Sequence, residues 1–96
     1  MEYNAMIELD VSIDLLTDDE IVDFIEPIAG HHGALGRSDN GLVLLTITID
    51  AVDAIHATRF VRDLMCISYA SYRVHSVDVL PTSAFDAIFG FRDYFR

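Results

Sequence analysis

Four histidines, a single cysteine and sixteen carboxylates are the residues of this chain whose types could do chemistry. His31 and His32 stand side by side ahead of Gly33, with His56 and His75 elsewhere. Adjacent histidines point in different directions, and neither an i, i+4 histidine pair nor a Cys-x-x-Cys pair is present, so the spacing does not compose a zinc site. A solvated or capping loop pair is expected instead, with His56 half-exposed on a helix. Cys66 is alone, which excludes an internal disulfide and fits a reducing compartment. Its place within an apolar helical period predicts a buried structural thiol.

Phosphate and nucleophile chemistry find no better support. Gly30, Gly33 and Gly36 are evenly spaced, but they follow a helical pattern and precede a strand, the reverse of the strand-to-helix order that cradles phosphate. There is no Gly-x-Ser-x-Gly elbow, no lysine of any kind and no Ser/His/Asp grouping. The expectation is a protein that is not an enzyme, with no catalytic residue, cofactor or metal ligand.

The carboxylates face only six arginines, for a formal net charge of −10. Such a surface repels phosphate backbones and anionic lipid, so neither nucleic acid nor a membrane is an expected partner, whereas a protein with a basic surface is. Asp18, Asp19, Glu20 and Asp23 are explained by the first turns of a helix, where the dipole is positive. Glu8, Asp10 and Asp78 need an explanation from the elements that carry them.

Those elements follow from the hydrophobic period. Residues 3 to 13 alternate, 17 to 29 repeat at helical spacing, 33 to 37 suit a short irregular edge strand, 42 to 49 alternate, 53 to 66 are helical and 73 to 80 are strand-like. Thr17 and Glu20 form a capping box ahead of the stripe Ile21, Phe24, Ile25 and Ile28. Pro27 should weaken the last turn, and Gly30 is expected to supply its left-handed stop. Ser38-Asp39-Asn40-Gly41 is the clearest turn signal. Asp50 or Asp53 should cap the second helix, whose stripe is Ala54, Ala57, Val61, Leu64 and Met65.

The order βαββαβ predicts an α+β, ferredoxin-like fold: a four-stranded antiparallel sheet with two helices on one face, in a single domain over residues 1–96. Ile7, Leu9, Val11 and Ile13 of the first strand form its core face, and Val43, Leu45, Ile47 and Ile49 should face the helices. With the first and last strands as neighbours, Met6, Glu8, Asp10, Leu44 and Asp78 share the other face and make a candidate partner-binding surface. That face holds neither the aromatic nor the basic residues with which sheet-type readers bind RNA.

Past Pro81, Ser83 and Asp86 announce a short C-terminal helix, and residues 82–96 form an appendage holding half of the chain's aromatics. Phe89, Phe91, Tyr94 and Phe95 extend the candidate binding surface, because so apolar a stretch should be covered by this chain or by a partner. Met6, Leu42 and Leu44 with these aromatics suggest a homodimer. Met1-Glu2-Tyr3 lacks the basic start and apolar run of a signal peptide, and the longest aliphatic run, Leu42 to Leu45, cannot span a bilayer, so a cytoplasmic location is expected.

Between His31 and Ala87 the chain resembles small uncharacterised ferredoxin-like proteins of actinobacteria and their phages, on His32 to Leu35, Arg37 and Ser38, Ala51 to Ala57, and Thr82 to Asp86. The resemblance implies the same α+β class, no known catalysis and a phage-encoded protein that binds a host protein. The expected function is a non-catalytic, acidic protein–protein interaction module. The alternatives are a DNA-mimic inhibitor of a nucleic-acid-binding protein and a small-ligand regulatory domain with its groove near His31 and His32.

Overall fold

The computed structural model describes residues 1–84. Strands β1 (Glu2–Ser12), β2 (Ala34–Arg37), β3 (Leu42–Asp50) and β4 (Val74–Pro81) form one four-stranded antiparallel sheet in the order β2-β3-β1-β4. Helix α1 (Asp18–Ile25) lies between β1 and β2, and helix α2 (Ala54–Ser68) between β3 and β4. The elements therefore follow the predicted order along the chain. Residues 82–84 are helical, and the predicted remainder of that helix lies outside the described residues.

Alternation decides the core. Ala5, Ile7 and Leu9 of β1 and Val43, Leu45 and Ile47 of β3 are fully buried and form one cluster with Phe24, Ile28, Val61, Met65 and Tyr69. Each such valine, leucine or isoleucine side chain contributes roughly 1.5–3 kcal/mol by leaving water. The cross-strand pairs Ile7 with Leu45 and Ala5 with Ile47 place these residues on a common face. The intervening residues Leu42, Leu44, Thr46 and Thr48 are half-buried on the opposite face, as the alternation predicts. β1 loses register with β3 between Leu9 and Ser12, and Ile13 begins a 3-10 turn instead of ending the strand.

The capping box forms: the Thr17 side chain accepts from the Glu20 N–H, and the Glu20 carboxylate accepts from the Thr17 N–H at 3.2 Å. The stripe expected to run to residue 29 divides at Ile25, because Pro27 brings no N–H to an α-helical ladder, and the chain tightens into a 3-10 segment, Glu26–His31. The left-handed residue that ends it is His32 (φ 53°), not Gly30. Gly33 is required for a different reason: its N–H reaches the Ile28 carbonyl at 3.0 Å, and a Cβ there would lie 2.4 Å from that oxygen. Asp53, not Asp50, caps α2, accepting from the His56 N–H at 2.9 Å.

Tyr69, just past α2, binds the two helical segments together. Its hydroxyl donates to the Phe24 carbonyl at 2.5 Å, and its ring stacks with the Phe24 ring at 6.1 Å between centroids. Burial pushes its phenol up to about 12, so the hydroxyl stays a donor.

Candidate functional site

The sheet gathers four of the nine residues expected to form a binding surface. Met6 stands opposite Asp78 of β4 and Thr46 of β3, and Glu8 opposite Ser76 and Leu44, so Met6, Glu8, Leu44 and Asp78 share one face. Met6 and Leu44 are half-buried and Asp78 is exposed. Asp10 lies within the stretch where β1 leaves register with β3, is exposed, and donates its N–H to the Arg73 carbonyl at 2.8 Å. Phe89, Phe91, Tyr94 and Phe95 lie outside the described residues.

Glu8 occupies a different environment from the other carboxylates. The residue is only 6% exposed. Its carboxylate accepts from Asn40 Nδ2 and Ser76 Oγ, each at 3.1 Å, with His75 Nε2 at 3.9 Å. Hydrogen bonds from Ser38, Asn40 and Ser76, together with His75, hold the carboxyl below its ordinary range. These neighbours come from the β2–β3 turn and from β4, so Glu8 clasps the hairpin to the last strand across β1. Its acceptor capacity is engaged within the fold, which suits a positioning role better than contact with a partner. Asn4 repeats the pattern two pleat repeats along β1, accepting from Thr48 Oγ1 at 3.0 Å and donating to Thr82 Oγ1 at 2.8 Å.

The histidines are dispersed. The His31 ring meets Phe60 edge-on at 4.9 Å, His56 bonds Asp53 through Nδ1 at 2.7 Å in a half-exposed position, and His75 sits by Glu8. Among the described residues no three His, Cys, Asp or Glu side chains converge as a metal would require. Cys66 is exposed, correcting the expectation of a buried thiol. The buried stripe of α2 is Ala57, Val61 and Met65, and Cys66 lies one residue, about 100°, off it.

That thiol lines a feature the pattern of residues did not announce. Between α2 and β4 runs an apolar groove of about 360 Å³, lined by Thr58, Val61, Arg62, Met65, Cys66, Val74 and Val77. Val77 pairs in register with Ile7, but β4 is an edge strand, with no further strand beside it among the described residues. Val74 is 39% and Val77 41% exposed. The groove's flank also differs in charge from the rest of the molecule. Residues 1–53 carry twelve carboxylates and one arginine, whereas residues 54–84 carry two carboxylates and three arginines. This imbalance between the two parts was legible in the residues and would have pointed to the flank.

Comparison with protein families, with curated proteins and with solved structures found no match. No helix among the described residues is long and apolar enough to cross a membrane.

Proposed function

We propose that this chain is a non-catalytic, ferredoxin-like interaction module, both helices backing one face of its sheet, that binds a protein with a basic surface through its acidic body. The observation that carries the reading is the concentration of charge: Asp14, Asp18, Asp19, Glu20, Asp23 and Glu26 are all exposed and close in sequence, and Arg37 is the sole arginine among the first 53 residues. Arg37 is itself paired with Asp14. Fields of one sign attract an oppositely charged partner and speed its encounter. The resemblance to phage and actinobacterial proteins adds a host protein as the natural target.

Capture of the host partner on the immobilised full chain tests this by its salt dependence. Binding through the acidic body weakens steeply as salt rises, and it weakens at fixed salt in the variant Asp10→Asn, Asp23→Asn, Glu26→Gln, which removes three exposed charges. A partner held equally at 0.05 M and about 0.5 M salt would overturn the reading. The same concentration of charge favours a DNA mimic as a second reading. Displacement of the partner by duplex DNA distinguishes a target that binds nucleic acid from one that does not.

A further inference from the structure

We infer that the α2–β4 flank is the seat of a second copy of this chain, joined antiparallel through the edge strand β4 about a two-fold axis. Three independent features converge on that occupant. The first is the free edge: β4 pairs with β1 on one side and with no other strand among the described residues on the other. The second is the apolar lining, with Val74 and Val77 open beside Val61, Met65 and Cys66. The third is charge.

Two molecules of net charge −10 repel each other wherever their acidic bodies meet. On the flank built from residues 54–84 arginines outnumber carboxylates, so among the described residues it is the approach that self-repulsion opposes least. Arg62 borders the groove and Arg73 precedes β4. An occupant with the same charge distribution can present the same flank in return, as an isologous interface requires.

The register follows from the strand itself. Residues opposite one another in an antiparallel pair share a face, so a two-fold near the middle of β4 passes by either Val77 or Asp78. An axis at Asp78 sets two carboxylates directly against each other, which is unfavourable. An axis at Val77 sets Val77 against its equivalent and Asp78 against Ser76 of the second copy. The two apolar grooves then meet over the axis as one seam. Closure is assured by the other edge: β2 has four residues, so growth of the sheet stops at two copies.

Sedimentation equilibrium of the full chain measures the outcome. The expected mass is twice 10.8 kDa at micromolar to millimolar concentration. Val77→Asp should return it to that of one chain with an unchanged circular dichroism spectrum. Val22→Asp, the same change at an exposed site on α1, should leave the dimer intact. Amide hydrogen exchange on the unmodified protein provides a measurement that does not depend on a variant folding. Protection of β4 amides should rise with protein concentration while that of β2 stays constant, and maleimide should react more slowly with Cys66 over the same range. A monomer at millimolar concentration, a dimer that survives Val77→Asp, or concentration-dependent protection at β2 instead of β4 would each overturn the proposal. None of these results bears on partner capture through the acidic body, so the two readings stand or fall separately.

Discussion

The two edges of the sheet are built differently. β2 is four residues long, contains Gly36, and ends at Arg37, whose guanidinium donates to Asp14 from both terminal nitrogens, Nη1 at 2.9 Å. β4 is eight residues long and leaves Val74 and Val77 open. Short strands and charged side chains are devices that keep an edge from pairing with another molecule, and β4 lacks the first and carries only the carboxylate of Asp78 of the second. A sheet with both edges open could add copies without limit. One blunted edge and one open edge permit a single further partner, which is the condition for a closed assembly.

The blunted edge depends on how β2 is anchored, so Gly33→Ala should have the largest effect. The new methyl would meet the Ile28 carbonyl oxygen and side chain, which cannot all withdraw. A loss of about 1–3 kcal/mol is expected in urea unfolding, as for other overpacked sites. Faster hydrogen exchange should be confined to β2 and the segment before it, while β4 is unchanged. Equal loosening of both edges would show that they are not independently held.

Tyr69→Phe comes next, since Tyr69 joins the end of α2 to Phe24 of α1. Removing the hydroxyl leaves the Phe24 carbonyl without its buried donor, at a cost of about 1–2 kcal/mol. The phenol adds a pH signature. Its value is raised from 10 to about 12 on folding, so the stability it provides is complete below pH 10 and is lost as pH rises toward 12. Absorbance titration of the tyrosines and the alkaline unfolding midpoint should show this limb in the parent chain and a shallower one in Tyr69→Phe.

Local signals were legible in the residues and long-range ones were not. The capping box of Thr17 and Glu20 needs only a spacing of three, and the alternation along β3 names its buried set directly. The contrast between the edges arises from contacts that spacing does not reveal: Arg37 meets Asp14 from 23 residues away, and Glu8 meets Asn40 and Ser76 from 32 and 68. Alternation placed Glu8 on a wet face, yet its neighbours bury it. Cys66 departs from expectation for a simpler reason. It falls within the apolar stretch of α2, but the phase set by Ala57, Val61 and Met65 turns it outward.

Glu8 provides the next test, because it ties the turn of the blunted hairpin to the open strand. Its carboxyl is held low in the folded protein, so its contribution is complete above the ordinary value of 4.5 and is lost as pH falls through the depressed one. Glu8→Gln should flatten the acid limb of the stability curve and speed exchange at β4 near Ser76 more than at β2. An acid limb as steep as the parent's would remove Glu8 as the clasp.

The smallest effect is expected from Arg37→Ala, and it separates the two devices that blunt β2. Both side chains of its ion pair are more than half exposed, so the loss of stability should stay within about 1 kcal/mol. If shortness alone guards the edge, the variant keeps the parent's mass in sedimentation, because four residues offer too few backbone bonds to hold another strand. If the charge is the guard, the freed edge pairs with its neighbours and species larger than two copies form. The first outcome is expected, since β2 is also interrupted by Gly36, which has no side chain to pack across a new pairing. Larger species would mean that the two edges differ only by one ion pair, and raising salt on the parent chain should then reproduce them.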